Sequence, residues 1–167
     1  MGSVYLTNSL IMRVTNSVVF MGSNVETNQD DTGVFAPQVG LGSYYLAENS
    51  PYREAGTTNI NPDLRKALAL TSTHAPIFLH EPITVNTVLY PRAPRDTDVP
   101  DLGWRPYALD YFVSALHVTN AVLLLTNGVN VGFDFSAGSS GFILDNGAQF
   151  ISEGSPLRPN RLVRAHA

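Results

Sequence analysis

The stretch Leu116-His117-Val118-Thr119-Asn120-Ala121-Val122-Leu123-Leu124-Leu125-Thr126-Asn127-Gly128 decides how this chain is read. Val118-Thr119-Asn120 and Leu125-Thr126-Asn127 repeat one short phrase seven residues apart, and an apolar run separates them. The same phrase stands near the start, at Leu6-Thr7-Asn8 and Val14-Thr15-Asn16, eight residues apart. β-Branched and aliphatic residues favour strands, whereas Asn tolerates the left-handed backbone that a sharp corner needs. A strand-corner unit that keeps returning is what a solenoid produces, because each pass of the chain meets the same turn. Asn127-Gly128 and Asn146-Gly147 fit ordinary β-hairpins equally well. Turn chemistry alone therefore leaves two architectures open, a parallel solenoid and an antiparallel β-sandwich. In the sandwich, Val122–Leu125 pairs back onto Val129–Val131.

Outward from this stretch the vocabulary stays β-like. Ile77-Phe78-Leu79 and Ile83 to Tyr90 read as strands split at Pro82, and Val129–Phe135 and Gly141–Ile151 as further strands. One short helix is legible over 62–70. Asn61 is its N-cap, Pro62 takes the first turn, Asp63 suits the dipole, and Leu64, Ala67 and Leu68 share a face. The expected organisation is one domain over 1–167. Strands occupy 4–21, a loop excursion with the helix 22–76, strands 77–90, a Pro-rich loop 91–112, and further strands 113–167.

Of the 167 residues, 44% are apolar and only 14% charged, against about 25% charged in an average domain. Lys66 is the single lysine, which excludes a coiled coil, and the apolar and aromatic content excludes a disordered chain. A formal net charge of −4 argues against a nucleic-acid partner. The absence of cysteine excludes thiolate chemistry and zinc ribbons. The run Ala121–Leu125 is far shorter than the roughly 20 apolar residues of a membrane-spanning helix.

Three further segments carry a resemblance. Tyr44-Tyr45-Leu46-Ala47-Glu48-Asn49-Ser50-Pro51-Tyr52-Arg53-Glu54-Ala55-Gly56-Thr57-Thr58-Asn59-Ile60 is similar to a phrase of very large secreted bacterial proteins. Those proteins are built from right-handed parallel β-helix repeats (the pectin-lyase-like fold). Arg95-Asp96-Thr97-Asp98-Val99-Pro100-Asp101-Leu102-Gly103-Trp104 resembles a second phrase of that family. Leu116–Gly128, with Asp145-Asn146-Gly147-Ala148 and Ile151–Pro156, resembles one of its rungs. After Trp104 the family often continues His-Tyr-Asp-Pro. Arg105-Pro106-Tyr107-Ala108 stands here instead, so no role tied to that His or Asp carries over. The resemblance implies an all-β fragment of a right-handed parallel β-helix, secreted or at the cell surface and continuing into a longer solenoid. It implies a structural or adhesive role in contact with polysaccharide or cell-surface glycans.

Asp96, Asp98 and Asp101 are the candidate metal ligands. Carboxylates two and three residues apart on an irregular backbone can converge on Ca²⁺, although Asp near Pro is also ordinary turn chemistry. Trp104, Tyr107 and Tyr111 are the candidate carbohydrate-binding residues, since aromatic faces pack against sugar rings. Catalytic signatures are lacking. His80-Glu81 is followed by Pro82 and no second His, Ser139-Ser140 is not a nucleophile elbow, and Gly40 and Gly42 lack a third glycine. A polysaccharide lyase or glycosidase on this fold would need paired carboxylates and bases. The chain is accordingly expected to be a non-enzyme, the rivals being such a carbohydrate-active enzyme or a carbohydrate-binding module.

Overall fold

A computed structural model describes residues 3–14, 19–39, 42–135 and 141–165. Thr15, Asn16, Gly40, Ser139 and Ser140, singled out above, lie outside the described residues. The chain is predominantly β, with parallel sheets and one short helix. It divides into two compact units.

The first unit comprises residues 1–38, 43–75 and 94–108. Its strands β1 (Ser3–Met12) and β2 (Val19–Asn28) pair in parallel, from Ser3 beside Val19 to Met12 beside Asn28. Residues 22–28 are therefore strand rather than the start of the expected loop. Mid-ladder, Thr7 pairs with Ser23 and Ser9 with Val25, which leaves Asn8 and Asn24 outside the pairing. Both are left-handed, with φ +49° and +54°. Their amides fasten a neighbouring segment. Asn8 exchanges two hydrogen bonds with the backbone of Thr57 (2.7 and 3.0 Å), and Asn24 donates to the Ala55 carbonyl at 2.9 Å. The corner role of Asn thus appears at positions 8 and 24. Helix α1 (Pro62–Leu68) begins as the sequence indicates, with the Asn61 side chain accepting from the backbone N–H of Asp63 and Leu64. It ends two residues earlier than expected, and none of its residues is buried.

The second unit comprises residues 39–42, 76–93 and 109–167. It holds β3 (Ile77–Leu79), β4 (Thr87–Leu89), β5 (Tyr111–Val113), β6 (Leu116–Val118), β7 (Val122–Leu125), β8 (Asn130–Phe133), β9 (Phe142–Leu144), β10 (Gln149–Ser152) and β11 (Arg161–Arg164). One sheet has the order β11-β8-β5-β3, a second β10-β7-β4, and a third β6-β9. Every pairing between these strands is parallel, and Ile83 adds an isolated parallel bridge to Val118. Tyr111 and Phe112, expected in the Pro-rich loop, begin β5.

β7 and β8 do not pair with each other: β7 lies between β4 and β10, and β8 between β5 and β11. The Asn127-Gly128 hairpin of the sandwich alternative is therefore absent. Gly128 does supply a left-handed turn (φ +83°), but it carries the chain from one sheet to another. Asn120 (φ +48°) and Gly147 (φ +73°) stand at the equivalent bends after β6 and before β10. At each of these bends the following strand joins a different sheet.

The core of this unit is made of Leu89, Tyr111, Val113, Leu116, Val118, Ala121, Leu123, Leu125, Val129 and Val131. Alternation places Leu116 and Val118 inward and His117 outward on β6. On β7 it places Leu123 and Leu125 inward. Burial of such side chains contributes about 1.5–3 kcal/mol each, and parallel strands stack like residues in columns, as Tyr111, Val131 and Leu162 do.

Candidate functional site

The three aspartates of the 95–105 loop meet at one cavity of about 290 Å³ in the first unit. Glu48, Arg53, Glu54, Thr73, His74, Pro94 and Arg95 complete its wall. Two backbone hydrogen bonds hold the 95–105 loop against the 50–56 segment. The Leu102 N–H donates to the Tyr52 carbonyl at 2.8 Å, and the Gly56 N–H to the Pro100 carbonyl at 2.7 Å. Pro100 and Gly56 suit this close approach: a Cβ on Gly56 would stand 2.5 Å from the Pro100 carbonyl oxygen.

Arg53 is the hub. Its Nε donates to the Ala47 carbonyl at 2.8 Å and its Nη2 to the Leu46 carbonyl at 2.7 Å. Its Nη1 meets Thr73 Oγ1 at 3.1 Å, His74 Nε2 at 2.8 Å and Asp101 Oδ2 at 3.4 Å. Asp101 is equally committed. Its Oδ1 accepts the Glu54 N–H at 2.7 Å, and Oδ2 also accepts from the Thr73 hydroxyl. Asp96 is held by Arg105 in an ion pair of 2.5 Å, with both side chains more than nine-tenths buried, and it accepts the Asp101 N–H at 3.1 Å.

Burial and charge pull against each other here. Desolvation raises the Asp96 carboxyl, opposed by the Arg105 charge and the Asp101 N–H. Desolvation likewise lowers Arg105, opposed by Asp96 and Asp101. Arg105 Nη2 is buried and has no hydrogen-bond partner among the described residues. His74 is lowered by burial first and by the Arg53 charge second, against Glu48 and Asp101.

The cavity therefore gathers Asp96, Asp98 and Asp101, but guanidinium groups already engage two of the three carboxylates. Among the described residues no three His, Cys, Asp or Glu side chains form a group that could hold a metal ion. The cavity can offer a hydroxylated ligand the carboxylates of its wall, Glu48 being well exposed. The Arg53 guanidinium that lines it is already engaged by protein acceptors through all three nitrogens.

The three candidate aromatic residues separate. Trp104 is 41% exposed and rests on the Tyr45 ring, with centroids 5.2 Å apart. Tyr107 is 66% exposed. Tyr111 is only 4% exposed, lies in β5 of the other unit, and donates its hydroxyl to the Tyr90 carbonyl at 3.0 Å. Its ring belongs to the core and presents no face to a ligand.

Sequence reasoning missed Arg53, Thr73, His74 and Arg105 as partners of these aspartates, because they lie up to 48 residues away from them. The only signal was the Arg53 embedded in the quoted 44–60 phrase. Asp110, fully buried, was missed as well. No helix of the described residues is long and apolar enough to cross a membrane. No family model, curated protein or solved structure matches the chain.

Proposed function

We propose that this chain is a segment of a right-handed parallel β-helix from a secreted or cell-surface protein, and that it serves as a rigid scaffold presenting an adhesive surface to glycans. The observation that carries the reading is the strand order of the second unit. β3 and β4, then β5, β6 and β7, then β8, β9 and β10 are dealt in turn to the sheets, each beside its counterpart from the previous pass and always in parallel. Successive laps of a coiled ribbon are the simplest path that gives this order, and crossovers between parallel strands run right-handed almost without exception.

Function follows from rigidity and composition. Stacked laps bury their aliphatic columns and leave a weakly charged outer face, which suits extended contact with neutral, hydroxyl-rich partners. Trp104 and Tyr107 are the exposed aromatics among the candidate residues and form the reduced contact set.

Glycan-array binding of the full chain tests the proposal. Retention on polysaccharide glycans is expected, weakened about tenfold or more when Trp104→Ala and Tyr107→Ala are combined, equivalent to about 1.4 kcal/mol. Absence of any glycan binding would overturn the adhesive role. Sustained turnover of a bound polysaccharide, lost on changing Glu48 or Glu54, would replace it with the enzyme reading.

A further inference from the structure

His74 stands where the segment carrying Arg53 meets the wall formed by Thr73 and Asp101. A guanidinium has only donors, so the 2.8 Å contact between Arg53 Nη1 and His74 Nε2 requires an unprotonated Nε2. The ring proton then sits on Nδ1, which faces Glu48 Oε2 at 4.0 Å. Arg53 in turn binds the Leu46 and Ala47 carbonyls through its other nitrogens. One imidazole lone pair therefore sits in the same network that holds the 46–53 segment closed.

We infer that His74 is an acid-operated latch: a proton taken up at Nε2 cancels the acceptor for Arg53, places two cations 2.8 Å apart, and releases the 46–53 segment from the Thr73–Asp101 wall. The groups facing the ring are Arg53 and Glu48 from the 46–54 segment and Asp101 from the 95–105 loop, with Glu54, Arg95, Asp96 and Asp98 also lining the cavity. Glu48 and Asp101 favour the proton; burial and Arg53 oppose it. The balance holds His74 below the ordinary histidine value of 6.5. The sign follows from linkage. Above 6.5 the ring is neutral folded or unfolded, and nothing is lost. As pH falls below 6.5 the unfolded or opened segment takes the proton more readily than the closed one, so closure weakens until pH passes the lowered folded value.

The chain's single tryptophan reports on this unit, because Trp104 rests on Tyr45, next to Leu46. The experiment compares the full wild-type chain with His74→Gln, whose amide oxygen still accepts from Arg53 but does not titrate. Hydrogen exchange at the Leu46 and Ala47 amides, bonded to the Thr73 and Val34 carbonyls, is followed from about pH 7.5 to about pH 5 together with Trp104 emission. Relative to H74Q at each pH, wild-type exchange is expected to accelerate by about tenfold per unit of pH between 6.5 and the lowered folded value. Reversible change in Trp104 emission should accompany it in the wild type alone. Equal exchange in both chains at every pH, or the same emission change in both, would overturn the latch. Should H74Q fail to fold, NMR titration of the His74 ring in the wild type decides. A midpoint below 6.5 that coincides with the emission change supports the latch, and a midpoint at or above 6.5, or one without that change, overturns it.

Discussion

Asp110 and Asn130 hold each other by two reciprocal hydrogen bonds: the Asp110 N–H donates to the Asn130 carbonyl at 2.9 Å, and the Asn130 N–H donates to Asp110 Oδ2 at 2.7 Å. The second carboxylate oxygen accepts the N–H groups of Arg92 and Ala93 at 2.7 and 2.9 Å. A fully buried carboxylate is thereby bonded to at least three backbone donors, and it ties the 91–93 loop to the start of β8. This is how the second unit fastens the loop after β4 to the residues that lead into β5 and β8.

Removing that acceptor leaves buried N–H groups unpaired, which costs about 1–3 kcal/mol each before relaxation. Asp110→Ala is expected to lower stability by about 3–5 kcal/mol, and Asp110→Asn by somewhat less because one carbonyl oxygen remains. Urea denaturation of the three chains checks this. A loss under about 1 kcal/mol for Asp110→Ala would mean that the carboxylate is dispensable.

Gly22 and Gly33 make a matched pair of opposite sensitivity. A Cβ at Gly22 (φ +140°) would fall 1.7 Å from the carbonyl oxygen of Leu6, its ladder partner, so Gly22→Ala must prise β1 from β2. At Gly33 (φ +70°) no atom lies within 4 Å, and Gly33→Ala meets only the left-handed penalty of about 1–2 kcal/mol. Comparative thermal melts should show a much larger drop for Gly22→Ala, and equal drops would contradict the β1–β2 register.

Leu123 and Leu157 test where the core lies. Leu123 is fully buried between Thr87 and Phe150 in the ladder, whereas Leu157 is 95% exposed. Leu123→Ala is expected to cost about 2–5 kcal/mol and Leu157→Ala less than about 0.5 kcal/mol. Chemical denaturation gives both numbers, and a similar cost at the two sites would count against the inward columns.

Calcium is expected to leave the melting temperature unchanged, because binding would have to displace Arg105 from Asp96 and Arg53 from Asp101. A melting temperature that climbs with calcium concentration, and stops climbing in Asp98→Asn, would show instead that the loop exchanges its guanidinium partners for the ion.

Much of the local structure was legible because it rests on short-range chemistry. Asn61, Pro62 and Asp63 start the helix where their side chains and fixed φ dictate, and the Thr-Asn phrases mark left-handed residues at Asn8, within β1, and at Asn120, whereas after Leu125-Thr126 the left-handed residue is Gly128 rather than Asn127. The length of β2 was not legible, since Gly22, Ser23 and Glu26 suit a loop until β1 supplies a ladder for them.

From the sequence alone came the β vocabulary, the single helix and the sites where the chain must bend, all properties of a residue and its immediate neighbours. Tertiary structure chose the partners. An Asn-Gly bend serves a hairpin or a corner equally well, and only the burial of Leu123 and Leu125 between β4 and β10 sends β7 to one sheet and β8 to another. The aspartates of the 95–105 loop followed the same logic: their spacing offered a cation site, but Arg53 and Arg105, distant in sequence, took two of the three carboxylates because a buried negative charge needs a nearby positive one.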